Sequence, residues 1–209
     1  MNSKGYKREL EKRIGAITKG VTFVASDFSD IAGIRTIREL IKRMVDKGDV
    51  NRVMPGVYMR PKFSKLLNEQ VPCNVEDVAY SIARMNNWTI APSGNTALNK
   101  LGLSTQVPVV WSYVSDGPYS EKRLDGITIK FKHVANRNIT GMSPVTLLVV
   151  QALKAIGKDN VDNAILRKIS KRLDNNDLDI VFKETERATV WIRDAIRRIV
   201  QDRNRPCKI

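Results

Sequence analysis

A strongly amphipathic helical pattern that runs directly into a hairpin pattern constrains the fold of this chain more than any other feature. Apolar side chains repeat at helical spacing over residues 34–47, and Gly48 is placed to end that helix. Two β-type runs follow at residues 50–54 and 57–60, and the Pro-Gly pair between them is a strong turn signal. The sequence therefore predicts one long helix followed at once by a two-stranded β-hairpin.

Shorter patterns precede this helix. Apolar residues recur at helical spacing through residues 4–19, which predicts a first helix. A β-type run at residues 22–24 leads to a short predicted helix over residues 27–31, for which Ser26 is the expected N-cap. Helix, strand, helix, turn, helix and hairpin is the order of a winged helix-turn-helix, so residues 1–62 are predicted to form such a DNA-binding domain.

The two sides of the long helix have different expected roles. Six apolar side chains fall on one side when residues advance by about 100° each, and these are expected to pack on the first two helices: Ile34, Ile37, Leu40, Ile41, Met44 and Val45. Arg35, Thr36 and Arg38 lie near the N-terminal end of the outward side, where a helix in the major groove reaches base edges. Lys42 and Arg43 lie further along and are expected to contact phosphate.

Basic residues of the hairpin extend this predicted site. Arg52, Arg60 and Lys62 are expected to contact phosphate or the minor groove. The net charge of +14 also favours nucleic acid or another acidic partner. Residues 1–62 contain 14 Lys and Arg against 7 Asp and Glu, so half of the net charge lies elsewhere. Two other interpretations stay open: the basic helix and hairpin are only a folded surface, or they dock another protein.

The rest of the chain predicts a linker and a second domain. Residues 63–74 show little periodicity and are interpreted as the linker, and residues 75–209 are predicted to form a helix-rich domain around a small β-sheet. The predicted helices are 75–86, 95–101, 144–156, 161–173 and 178–202, and the predicted strands are 88–91, 107–114 and 126–134, with a polar loop between the last two strands. The expected fold class is therefore α+β.

A second basic surface is predicted on the C-terminal helices. Six cations lie opposite apolar side chains on these helices: Lys168, Lys171, Arg172, Arg193, Arg197 and Arg198. One interpretation is contact with phosphate, or docking of an acidic or RNA-bearing partner. The other is an ordinary solvated helix face.

Little in the sequence indicates catalysis, a metal or a cofactor. The two cysteines are too few for a disulfide framework or a zinc site, and His133 is the only histidine. A nuclease would need an acidic pair with a lysine, whereas Asp125 with Lys130 and Lys132 supplies a single acid. We therefore expect no enzymatic activity, no metal and no cofactor.

The chain is also expected to have no contact with membranes. No run approaches the roughly 20 apolar residues that span a bilayer. The first residues lack the apolar core of a signal peptide, so a cytoplasmic location is expected.

Three stretches together resemble the AbiEi family of antitoxins from type IV (abortive-infection) toxin–antitoxin systems. They are residues 23–28, the helix-and-wing stretch 43–58 that ends in Gly-Val-Tyr, and residues 93–108. The last stretch contains Ser-Gly, Ala-Leu-Asn, Gly-Leu and Gln-Val-Pro in order and is the most specific of the three.

This resemblance implies a bacterial DNA-binding antitoxin that represses transcription of its own operon. The N-terminal domain would bind inverted repeats in double-stranded DNA of its own promoter. The C-terminal domain would counter a nucleotidyltransferase-like toxin encoded alongside, without the two proteins necessarily forming a complex. The alternative is a plain winged-helix regulator whose second domain senses a ligand or mediates dimerisation.

Overall fold

The computed structural model describes residues 3–66, 68–135 and 139–203 of the chain. The chain divides into two compact units, Met1–Trp88 and Thr89–Ile209. Each unit combines α-helices with small β-sheets, so the predicted α+β class is confirmed.

The first unit contains three helices, a 3-10 helix and five short strands among its described residues. They are α1 (Ser3–Ala16), β1 (Thr22–Val24), the 3-10 helix (Ala25–Phe28), α2 (Ile34–Asp46), β2 (Asn51–Met54), β3 (Val57–Met59), β4 (Phe63–Ser64), β5 (Glu69–Gln70) and α3 (Val75–Asn86). The central strand of the three-stranded antiparallel sheet is β3, which pairs with β1 on one side and β2 on the other. A separate two-stranded sheet is formed by β4 and β5.

Aromatic side chains connect this sheet to the helices. Phe23 of β1 contacts Phe28 of the 3-10 helix edge to face, with ring centroids 5.8 Å apart. Phe23 also stacks with Tyr58 of β3 at 6.0 Å. Ile14 of α1 and Ile41 of α2 are fully buried in the same core. Offset and edge-to-face ring contacts of this kind add stability beyond the area that they bury.

The segment after β1 differs from the predicted helix over residues 27–31. It begins earlier, as a single 3-10 turn that follows β1 directly. The Asp27 carboxylate, rather than Ser26, completes the turn by accepting the backbone N–H of Val24 at 2.9 Å. Arg84 of α3 donates to the same carboxylate at 3.0 Å, and this partner lies 57 residues along the chain. Local propensity therefore could not indicate where the turn begins.

Helix α3 packs with the first unit, although the sequence places its residues at the start of the second domain. The hydroxyl groups of Thr22 and Ser81 form a buried hydrogen bond of 2.8 Å. The residues predicted as a linker contribute β4 and β5, and Asn51 of β2 donates to Gln70 of β5 at 2.8 Å. This compact unit thus extends well past residue 62, because its last elements pack on partners that are distant in sequence.

The second unit contains a four-stranded sheet and five helices among its described residues. They are β6 (Ile90–Pro92), α4 (Gly94–Lys100), β7 (Val110–Ser115), β8 (Ser120–Leu124), β9 (Ile127–His133), α5 (Pro144–Ile156), α6 (Asn163–Arg172), α7 (Asn175–Glu184) and α8 (Val190–Arg203), with a 3-10 turn at Lys158–Asn160. The strand order is β6-β7-β9-β8, and only the β7–β9 pair is parallel. Strand β8 lies where the sequence predicts a polar loop. The strand was not predicted because it is an edge strand, which can be polar.

The predicted helix over residues 178–202 is two helices in the structure. The chain leaves α7 at Thr185, whose buried hydroxyl donates to the carbonyl of Val181 at 2.6 Å. Glu184, at the end of α7, accepts from the backbone N–H and the hydroxyl of Ser143 at 2.8 and 2.7 Å. Burial acts to raise the pKa of Glu184, but hydrogen bonds from Thr146 and Ser143 outweigh burial and hold the pKa below its usual value. The end of α7 thus fixes the start of α5.

A side chain at the turn between β2 and β3 would require the Met85 side chain to move. Gly56 adopts a φ of +83°, a conformation that favours glycine. A Cβ at Gly56 would overlap the sulfur of Met85 on α3. Gly48, which follows α2, has a similar φ of +81° with open space around it. A substitution at Gly48 therefore introduces backbone strain alone, whereas one at Gly56 also introduces a close contact with Met85.

We expect Gly56→Ala to destabilise the protein more than Gly48→Ala. Backbone strain costs about 1–2 kcal/mol at each position. At Gly56 the flexible, partly exposed Met85 side chain must also shift, which adds roughly 0.5 kcal/mol. Urea unfolding measures both. In a Met85→Ala background the difference between the two substitutions should nearly disappear. Equal costs in the wild-type background would show that the Met85 side chain moves aside without strain and would contradict this difference.

Candidate nucleic-acid interface

The rotation of α2 places its cations on the surface. Ile37, Leu40, Ile41 and Met44 are buried, as predicted for this side of the helix. The basic residues Arg35, Arg38, Lys42 and Arg43 are exposed, and Thr36 is half-buried. Gly33 at the N-cap gives no side-chain hydrogen bond, and the first turn has no acidic residue. The exposed end of α2 therefore carries an uncompensated positive dipole, which favours anions.

Arg35 is almost fully exposed. Its side chain is 93% exposed, and its Nε lies 3.5 Å from Glu39 Oε1, one turn along the helix. An exposed pair of this kind contributes little to stability, since both charges remain in water. Arg35 is therefore accessible to another anion.

A groove between α2 and the β2–β3 hairpin brings the predicted residues of both elements together. It has a volume of about 330 Å³. Its lining consists of Arg38, Lys42, Val45, Asp46, Arg52 and Tyr58. Arg52 pairs in register with Tyr58 across the hairpin, so the stack of Tyr58 on Phe23 connects this wall to the core. The structure thus gathers three predicted cations, Arg38, Lys42 and Arg52, around one concave surface.

Arg43 lies outside this groove. It lines a smaller depression of about 60 Å³ between α1 and α2, together with Lys7, Glu11 and Lys47. The cations at the C-terminal end of α2 are therefore divided between two sides of the unit.

Arg60 and Lys62 differ in their surroundings. The Arg60 guanidinium is half-buried and donates through Nη1 to the carbonyl oxygens of Gly15 and Ile17, both at 2.6 Å. It satisfies carbonyl groups at and after the C-terminal end of α1, which otherwise lack partners. Lys62 is exposed. Arg60 thus has a structural role that sequence spacing did not indicate, because its partners lie more than 40 residues earlier in the chain.

The second basic surface is divided in a similar way. On α8, Arg193 donates to the carbonyl of Glu186 at 3.4 Å, Arg197 lies 3.6 Å from Asp194, and Arg198 donates to Asn163 at 2.6 Å. Each α8 cation thus has a polar partner within its own unit.

The three predicted cations of α6 are more open. Lys168, Lys171 and Arg172 are exposed, and α6 contains no acidic residue. Within the described parts of the chain, no ion pair involves Lys168 or Lys171. The Arg172 guanidinium lies against Gly102, where it occupies the space of a Cβ. Arg197 and Arg198 are exposed as well, so the outward charge of this surface lies on both α6 and α8.

Acidic residues do not converge into a metal site in the described ranges. No group of three or more His, Cys, Asp and Glu side chains lies close enough there to hold a metal ion. Lys130 pairs with Glu121 across β8 and β9 at 3.3 Å, a partner that the sequence did not indicate. Hydrogen bonding from Lys130, followed by that from Tyr119, lowers the pKa of the Glu121 carboxyl. His133 Nδ1 lies 2.9 Å from the carbonyl of Gly117.

The family model of DUF6088, a family of unknown function, matches residues 9–181. The chain belongs to the DUF6088 family. The match includes all of α2, the β2–β3 hairpin and α6, and it ends within α7. No curated protein is similar enough to this DUF6088 chain to serve as a relative. Across the described residues of the protein, no helix has the length and apolar character needed to cross a membrane.

In this DUF6088 protein we expect Arg60→Ala to reduce stability by about 2 kcal/mol, since hydrogen bonds from a charged donor contribute about 1.5–3 kcal/mol. Lys62→Ala should change stability by less than about 0.5 kcal/mol. Thermal and urea unfolding of the two variants give the comparison. An Arg60→Ala protein as stable as wild type would show that the α1 carbonyl groups do not need this guanidinium.

Proposed function

We propose that this DUF6088 protein binds duplex DNA in a sequence-specific manner through a winged helix-turn-helix in its first unit. The observation that carries the proposal is the groove in which cations of α2 and of the β2–β3 hairpin converge. An anionic surface with regularly spaced charges suits such a groove better than a small neutral ligand does.

The order of elements supports this assignment. The chain runs from α1 through β1 and the 3-10 helix to α2, and then through the β2–β3 hairpin, whose second strand returns to pair with β1. In a winged helix-turn-helix these elements are the first helix, first strand, second helix, recognition helix and wing. The 3-10 helix would take the place of the second helix.

In this proposal α2 is the recognition helix. An α-helix with its side chains is about 10–12 Å across and the major groove is about 12 Å wide, so one helix fills it. Arg35, Thr36 and Arg38 would meet base edges, and an arginine can bond the O6 and N7 of guanine as a fork. Lys42 and Arg52 would contact the phosphates that border the major groove of the DNA.

The resemblance to AbiEi antitoxins supports a biological setting. We propose that the operator lies in the protein's own promoter as inverted repeats, and that the second unit counters a nucleotidyltransferase-like toxin from the same operon. A plain regulator, whose second unit binds a ligand or dimerises, would share the DNA-binding part of this proposal. The two settings differ only in what the second unit does.

The DNA-binding part predicts a selective loss in an Arg35→Ala, Arg38→Ala double variant. Two fork contacts contribute about 2 kcal/mol or more of discrimination, so affinity for the promoter should fall about 30-fold or more. Affinity for a scrambled fragment should change far less, because the remaining phosphate contacts are independent of sequence. Fluorescence anisotropy with both fragments at physiological salt gives the ratio.

A Lys168→Ala, Lys171→Ala variant is the matched control. It also removes two positive charges, but from an exposed face of α6. Any loss in this variant should be equal for the two fragments. If the arginine variant binds the promoter as tightly as wild type, α2 is not the recognition helix.

The antitoxin part predicts rescue in co-expression. The neighbouring gene should stop growth when it is induced alone, and the wild-type protein should restore growth. A variant with Arg35→Ala and Arg38→Ala should still restore growth when both proteins come from foreign promoters, because repression is then bypassed. A neighbour that is harmless alone would exclude the antitoxin role and leave the plain regulator.

A further inference from the structure

The first residue of α2 is exposed although the helical pattern predicts that it is buried. Ile34 is 41% exposed, whereas Ile37 and Ile41, three and seven residues later on the same side, are fully buried. The core that α1 and the 3-10 helix provide begins to cover α2 only at Ile37. The sequence prediction for Ile34 is therefore wrong, since the helix extends one turn beyond its core.

The surroundings of Ile34 show what kind of surface could cover it. It borders a depression of about 120 Å³ whose lining also includes Ala25, Ser26, Arg38, Gly56, Tyr58 and Met85. Arg38, one turn further along the helix, lines this depression as well, although the helical pattern predicts that it lies on the outward side. Arg35, which is 93% exposed, follows Ile34 in sequence. A single exposed apolar side chain is ordinary on a protein surface. An exposed apolar side chain that shares a depression with a guanidinium group suits a partner that is anionic and also carries small apolar groups.

The major groove of DNA has this combination. Its only apolar feature is the C5 methyl group of thymine, which projects into the groove beside hydrogen-bonding base edges. We infer that Ile34 determines part of the operator sequence by packing on the methyl group of one thymine per half-site, beside the bases that Arg35 and Arg38 meet. This inference rests on the proposed DNA-binding function. It adds an apolar contact with one base to the hydrogen bonds that the arginines would make.

Deoxyuridine provides the test, because it differs from thymine only in lacking this methyl group. Thymines of the promoter fragment are replaced one at a time, and the affinity of the full-length protein is measured by anisotropy. Wild type should lose about fourfold at one thymine of each half-site, the factor expected for one buried methyl group. Ile34→Ala should bind the thymine and uracil versions of that site equally.

Val21→Ala is the matched control, since Val21 is an apolar residue of the same unit with 39% exposure. It should retain the fourfold preference of wild type. Thermal unfolding shows whether both variants are folded. The measured quantity is the ratio of the affinities of one protein sample for the thymine and uracil versions of the site. A folding defect lowers both affinities and leaves their ratio unchanged.

Three results would overturn the inference. The first is that wild type is insensitive to every replacement but still prefers the promoter to a scrambled fragment, in which case the proposed function stands without Ile34. The Ile34→Ala variant retaining the thymine preference would assign the methyl contact to another residue. Wild type showing no preference for the promoter would remove the proposed function together with this inference.

Discussion

Burial of one face of α2 determines where the charges of the candidate interface lie. Ile37 and Ile41 are fully buried, and Leu40 is 6% exposed. Each such side chain contributes about 1.5–3 kcal/mol through its removal from water, so the helix cannot rotate about its axis without a large loss. Because successive residues advance by about 100°, the same packing holds Arg38 and Lys42 outward. The apolar side of the helix thus positions the polar side.

The β2–β3 hairpin is positioned by the same core. Tyr58 stacks on Phe23 and pairs across the hairpin with Arg52, so the basic wall of the groove is attached to the buried aromatic cluster. On the other side, Met85 of α3 occupies the space beside Gly56. The first contact holds the hairpin on the core that α2 shares, and the second places its turn against α3. A surface that recognises one sequence needs such rigidity, because a loose hairpin would lose entropy on binding.

Several elements could be predicted from the sequence because their signals are local. The predicted helices over residues 75–86 and 144–156 have the same bounds as α3 and α5. Asn74 caps α3 by accepting the N–H of Glu76 at 2.9 Å, and Ser143 precedes Pro144 at the start of α5. The Pro-Gly turn similarly fixed the hairpin. The candidate cations of α2 and β2 were found because helical and strand periodicity decide which side chains share a face.

The sequence by itself thus determined the α+β class, the long amphipathic helix and hairpin, and the excess of basic residues. Only the tertiary structure decided which of those basic residues face solvent. Arg60 is half-buried and donates to carbonyl groups that lie more than 40 residues away, while Arg35 and Lys168 remain exposed. It also decided that Ile34 is uncovered. Periodicity indicates which side of a helix is apolar, but where the burial ends depends on how far the neighbouring elements extend, and those contacts are long-range.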